Sequence, residues 1–406
     1  MAVGVSIAFK NLEVTTMRRI SNLLGIALLS CFLSELASLP QQTVSEQEID
    51  WQKLQDINQK RQQGLSLTPA ESEYLQFAEG WMRKRTEEFR ATSPPRESTG
   101  LVPLVDLKSG SYKGEQGGLY PGGSNAPPRE HQKAGLEAAA GIVPRDTSGQ
   151  PSRDGKIVLV SIGMSNTTQE FQDFQKLASA DPDLNPRLVL VDGAQGGQAA
   201  DVTADPRSRF WGVLDQRLSA AGVSRQQVQA VWLKQAIRVP SRPFPLEAKK
   251  LQEYIRATIH NLQNSFPNLK IAYLSSRIYA GYATTPLNPE PHAYETAFAV
   301  KWVIADQIGG KPELNFVSGR GPVRAPWLAW GPYLWADGIK RSSEGLVYTR
   351  DDLAGDGTHP SPQGREKVAR RLLSFFKRER TARSWFVSPA AGPGAPLGDQ
   401  ALEALR

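Results

Sequence analysis

From residue 157 onward the chain repeats one unit: a short, unbroken apolar run, then a stretch of helical periodicity. Residues 157–162 (IVLVSI) form such a run, and 187–191 (RLVLV), 228–233 (VQAVWL) and 269–275 (LKIAYLS) repeat it. A run without polar alternation is what a strand covered on both faces requires. Residues 314–317 are a weaker fifth candidate. Helical segments at about 167–180, 207–221, 245–265 and 292–308 separate the runs, and a last one covers 362–377. Strands alternating with helices, joined by right-handed crossovers, predict an α/β fold: a three-layer α/β/α, doubly wound, flavodoxin-like parallel sheet over 156–387. In such sheets ligands bind outside the carboxyl ends of the strands, which limits where a site can be.

The flanking segments have other characters. Met17-Arg18-Arg19 followed by the apolar run 23–29 has the layout of a signal peptide, predicted over 1–37, with the residues before Met17 as an upstream misassigned start. Leu28-Leu29-Ser30-Cys31 resembles a bacterial lipobox. Lipidation at Cys31 would attach the mature chain to a membrane; cleavage near Ala37 would release it. Either route predicts an exported protein, periplasmic, secreted or on the outer surface. Cys31 is the single cysteine, so no intramolecular disulfide is expected.

Residues 38–92 predict a helical hairpin, a docked extension or a spacer. Ile49, Leu54 and Ile57 mark its first helix. Thr68-Pro69-Ala70-Glu71 starts the second, whose apolar positions are Tyr74, Leu75, Ala78 and Trp81. Residues 93–155 read as a loop region, with five Gly and three Pro between 114 and 128. Because Tyr112, Leu119 and Tyr120 need a surface to bury against, 114–128 is expected to cover the catalytic face. Residues 388–406 are a tail. A formal charge of +7 permits an anionic partner. However, the basic residues are scattered and not interleaved with aromatics, so nucleic acid is not expected as a partner.

The chemistry concentrates at two strand ends. The first strand runs into Gly163-Met164-Ser165-Asn166, a turn at which a Ser hydroxyl can project over the sheet beside a helix N-terminus. Asp356-Gly357-Thr358-His359 precedes the last helix. A nucleophilic Ser needs an imidazole, and the imidazole needs a carboxylate to orient it; an Asp three residues before a His can provide both at one strand end. Of the four His, His131 lies in the loop region, His260 is mid-helix, and His292 sits between Pro291 and a helix.

Gly163-Met164-Ser165 resembles the Gly-Asp-Ser block of the SGNH/GDSL hydrolases, and Asp356–His359 resembles their Asp-x-x-His block. Asp192-Gly-Ala-Gln-Gly196-Gly197 is similar to the family's second block. The resemblance implies that Gly197, or failing that Gly196, donates a backbone N–H to the oxyanion together with that of Ser165. The third block supplies an Asn; here Trp232-Leu233-Lys234-Gln235 is closer to the carbohydrate acetylesterase branch, and the resemblance implies that Gln235 gives the third oxyanion donor. Met164 and Gln235 depart from the family's Asp and Asn.

The reaction implied is ester hydrolysis through an acyl-Ser intermediate, with Ser165 as nucleophile, His359 as base and Asp356 as its orienter. The substrate is expected to be an acetylated carbohydrate, and no metal or organic cofactor is needed. Trp330 and Trp335, in the aromatic segment 327–335, are substrate-binding candidates, as are Arg277 and Tyr279 after the fourth strand; the Trp residues could equally pack the last helix. The competing class is a non-catalytic, surface-attached binding module that reuses the same cleft.

Overall fold

The computed structural model describes residues 49–388; the signal segment with Cys31 and the end of the tail lie outside the described residues. Five parallel strands form the central sheet: β1 Ile157–Gly163, β2 Leu188–Asp192, β3 Val228–Lys234, β4 Ile271–Leu274 and β5 Trp327–Trp330. Their order, β2-β1-β3-β4-β5, places the first strand inside the sheet, the flavodoxin-like arrangement. All seven residues of β1 and of β3 are buried, the physical reason for their unbroken apolar runs.

Helices cover both faces. On one lie α3 Arg129–Ala140, α4 Ser165–Ser179, α8 Pro362–Arg378 and α9 Arg380–Phe386; on the other lie α5 Arg209–Ala220, α6 Leu246–Ser265 and α7 His292–Ile308. The core between them is aromatic: Phe171 of α4 stacks on Trp232 of β3, and Phe174 stacks on Phe376 of α8. The N-terminal hairpin, α1 Trp51–Gln62 and α2 Pro69–Thr92, belongs to the same compact unit as the sheet. Thr68 and Glu71 form the capping box read from the sequence. Among the described residues no helix is long and apolar enough to cross a membrane.

Two expectations are corrected. The fifth strand is Trp327–Trp330, not 314–317. Leu314 ends a short 3-10 turn, and the Asn315 side chain then donates to the carbonyls of Val317, Gly321 and Pro322, which ties this stretch into a loop. Nor is 93–155 simply a loop: it contains α3 and a small antiparallel pair of strands, Ser111–Tyr112 with Glu115–Gln116.

Residues 114–128 pack at the β5 side, away from the lining of the cavity described below. Lys301 of α7 donates to the carbonyls of Gln116 and Gly117, and Trp330 Nε1 donates to Leu119 O at 2.7 Å. The outer edge of β5 is closed by side chains. Leu328 N donates to Gln307 Oε1 at 2.7 Å, His131 Nε2 lies 2.8 Å from Leu328 O, and Trp330 N donates to the Tyr120 hydroxyl at 3.3 Å. Burial pushes the His131 imidazole below its ordinary value, so it stays neutral and carries its proton on the nitrogen facing that carbonyl.

Candidate active site

Strand β1 ends at Gly163, where a side chain could not be accommodated: a Cβ there would lie 2.3 Å from both Lys234 O and Thr167 Oγ1. The missing side chain lets α4 start close against β3, where Thr167 Oγ1 donates to Lys234 O at 2.8 Å. Met164 is the residue before the helix and makes no side-chain cap. Ser165 is therefore the first residue inside α4. Its N–H has no intrahelical acceptor, and its hydroxyl is not consumed by capping.

The hydroxyl meets the other sequence block. Ser165 Oγ lies 2.8 Å from His359 Nε2, and His359 Nδ1 lies 2.5 Å from Asp356 Oδ2. Asp356 Oδ1 also accepts the backbone N–H groups of Thr358 and His359, each at 3.0 Å. Burial by itself would raise the Asp356 carboxyl, but the bonds from the His359 ring and from these two N–H groups outweigh it and hold the carboxyl well below the usual range. An ionised carboxylate can only accept, so Nδ1 carries the imidazole proton and Nε2 presents a lone pair to Ser165.

The loop that delivers Asp356 and His359 turns at Gly357, with φ +67°; a Cβ there would lie 1.8 Å from Tyr282 O. Arg350 braces it by donating to the carbonyls of Leu353, Ala354 and Gly355.

A cavity of about 240 Å³ opens over this pair, lined by Met164, Ser165, Asn166, Gly197, Arg238, Arg277, Leu287, Asn288, Thr358 and His359. Gly197, with φ +75°, is on its wall. Gln235 is not. It is 1 % exposed, and its Nε2 donates to Gln198 O at 3.1 Å and Thr203 Oγ1 at 3.2 Å. Its amide braces the segment 198–203 in place of reaching the cavity, which corrects the expected third donor. The side chain that replaces Asn is one methylene longer, and that length is used to reach a different partner.

Of the substrate-binding candidates, only Arg277 reaches the cavity. It is 1 % exposed, its Nε has no hydrogen-bond partner among the described residues, and Nη2 lies 3.5 Å from Thr358 O. Burial pushes its guanidinium below the ordinary value, against the pull of Glu170, Glu290 and Asp356. Tyr279, Trp330 and Trp335 are structural. The Tyr279 hydroxyl donates to Arg96 O at 2.7 Å, Trp330 sits at the closed β5 edge, and Trp335 Nε1 donates to Glu290 at 2.8 Å. All three are buried: the two Trp because the aromatic segment is a core strand and its continuation, and Tyr279 because it packs against Trp335 and Tyr282.

Sequence reasoning missed Asn166, Arg238 and Asn288. Asn166 donates to Thr358 O at 3.0 Å, which joins the Ser block to the His block. Its place next to the candidate nucleophile was the available signal. Arg238 follows the misread Gln235 block, and Asn288 lies in a Pro-rich loop with no recognisable spacing. Beneath the cavity, Lys234 at the end of β3 pairs with Glu170 of α4, both almost fully enclosed. Burial pushes the Lys234 ammonium down and the Glu170 carboxyl up, against their mutual attraction.

No family model matches the chain, and no curated protein is similar to it in sequence. Among solved structures it is similar to the Bacillus subtilis protein YxiM, at 12% identity over 57% of this chain and 58% of that chain, with a TM-score of 0.31. It is also similar to the periplasmic domain of a lipopolysaccharide acetyltransferase from Salmonella ser. Paratyphi A, at 14% identity over 60% of this chain and 95% of that one, with a TM-score of 0.29. The chain thus spans less than two thirds of the Bacillus protein's length.

Proposed function

We propose that this protein is an exported acyl-ester hydrolase that works through a covalent acyl-Ser165 intermediate. The observation that carries the reading is the unbroken relay from Ser165 Oγ through His359 to Asp356, with contacts of 2.8 and 2.5 Å. Export rests on the sequence layout of residues 1–37.

Ser165 Oγ attacks the ester carbonyl carbon as its proton passes to His359 Nε2. Asp356 holds the imidazole in the tautomer that can accept this proton and stabilises the imidazolium that results. The tetrahedral oxyanion lies against the N–H of Ser165, at the positive end of α4, and against the Gly197 N–H. Each such donor lowers the barrier by about 3–4 kcal/mol. Collapse expels the alcohol, which takes the proton from His359. Water then gives its proton to His359 and attacks the acyl carbon; the acid leaves, and the proton returns to Ser165. A cavity of about 240 Å³ suits a small acyl group such as acetyl. An acetylated carbohydrate is the proposed substrate class.

Hydrolysis of p-nitrophenyl acetate by wild type and by Ser165→Ala tests the reading. Turnover lost with the hydroxyl supports it. Equal turnover in both proteins refutes it, and inactivity of both on acetyl esters favours the non-catalytic binding module.

A further inference from the structure

Gly197 and Arg238, on the wall of the cavity over Ser165, also line a second, more open cavity of about 470 Å³, so the two spaces adjoin at the glycine proposed to donate to the oxyanion. The far wall of the second cavity comes from the N-terminal helix α1. Trp51, Leu54, Gln55, Asn58 and Gln59 line it, and their spacing of three, four, seven and eight residues from Trp51 places them on one helix face.

Two contacts tie this helix to the site. Arg238 donates from Nη2 to Gly197 O, and its guanidinium lies 4.3 Å from the centre of the Trp51 ring. Gln55 reaches over Gly197: its Nε2 would lie 3.8 Å from a Cβ built there. The Gln55 Oε1 is enclosed and has no hydrogen-bond partner among the described residues. An enclosed acceptor without a donor is under-satisfied, so turning the Gln55 amide toward the cavity would let a ligand hydroxyl pair with it.

The chemistry of the wall selects an occupant. Three carboxamides can each donate and accept, the Trp51 indole and Leu54 supply apolar surface, one guanidinium adds donors, and no carboxylate lines the space. A compact, neutral, polyhydroxylated ring satisfies such a wall; an alkyl alcohol leaves it unpaired. We infer that the α1 face is the alcohol-side subsite and receives a sugar ring, so that the substrate straddles Gly197 with its acyl group over Ser165 and its sugar against Trp51 and Gln55. The inference rests on the reading of Ser165 as nucleophile and adds to it the place of the sugar and the residues that hold it.

The test compares kcat/KM for a mono-O-acetylated methyl glucoside and for ethyl acetate in wild type, Trp51→Ala, Gln55→Ala and Asn58→Ala. Wild type should favour the glucoside, and each variant should lower the glucoside-to-ethyl-acetate ratio about tenfold, mainly through KM. Circular dichroism checks the fold of each variant. A ratio unchanged in all three variants, whether both activities fall together or neither does, overturns the subsite. A wild type that favours ethyl acetate overturns it as well. Turnover that survives Ser165→Ala overturns the underlying reading instead. Binding of the same glucoside to Ser165→Ala, with and without Trp51→Ala, reads the subsite without catalysis: about tenfold weaker binding is expected, and equal affinity refutes it.

Discussion

Replacing Gln235 by Ala separates a structural role from a catalytic one. The side chain is enclosed and donates two good hydrogen bonds, to Gln198 O and Thr203 Oγ1, while its Oε1 accepts a long third from Ala236 N at 3.4 Å. Losing two bonds of about 1 kcal/mol each, with an enclosed carbonyl left short of a donor, should destabilise the fold by about 2–4 kcal/mol. The amide does not face the cavity, so the barrier to acyl transfer should rise little, and turnover of p-nitrophenyl acetate should fall less than tenfold. An oxyanion donor behaves in the opposite way: its removal costs about 10²–10³ in turnover. Urea unfolding followed by tryptophan fluorescence gives the stability change, and initial rates well below the unfolding midpoint give turnover. A loss of a hundredfold or more with an unchanged midpoint would show that Gln235 swings toward the substrate, and the two-donor arrangement would be refuted.

Asp356→Asn should lower turnover by about 10⁴ while leaving KM within a few-fold, because the amide favours the wrong imidazole tautomer; a loss below tenfold in steady-state kinetics would remove Asp356 from the relay. Gly357→Ala should lower both the melting temperature and kcat, since a left-handed residue gains strain of about 1–2 kcal/mol and its Cβ would strike Tyr282 O; calorimetry showing no change would refute the close contact. Lys234→Met should cost about 3–5 kcal/mol by leaving Glu170 enclosed and unpaired, and adding Glu170→Leu should recover most of it; strictly additive losses in denaturant titrations would show that the two charges do not interact. Glu290 is pushed up to about 7, first by withdrawal of its carboxyl from water. Its folded form binds a proton that the unfolded form has released, so its contribution is present below about pH 4.5 and is lost as pH rises through 7. Glu290→Gln should remove that part of the stability profile; an identical slope in both proteins between pH 4.5 and 7 would contradict it.

The sheet was legible in the sequence where burial on both faces left no polar position, as in β1 and β3. The Ser165 and Asp356–His359 blocks were legible because short local turns carry them and only four His compete for the role. The misreadings have a common physical cause: residue type was read without knowing its partner. Trp327–Trp330 has the apolar continuity of a strand, but aromatics beside polar groups also suit a binding surface, and only the β4 pairing decides between them. Gln235 has the right functional group at the right place in the chain, yet one extra methylene lets it reach Gln198 and Thr203. Arg238 and Trp51 meet across nearly two hundred residues, a distance that no local spacing encodes.

The side-chain closure of β5 bears on how molecules of this protein can meet. An open sheet edge is a template on which a second chain can add a strand, the usual start of edge-to-edge aggregation. Here any such growth would first have to strip Tyr120, His131 and Gln307 from Leu328 and Trp330, which means lifting part of the 119–131 segment from the sheet. The imidazole keeps a proton on the nitrogen facing Leu328 O whether it is neutral or charged, so acid does not remove that bond. Self-association through this edge is thus gated by a local opening and not by encounter alone, and it should rise with conditions that loosen 119–131 well before the sheet itself unfolds.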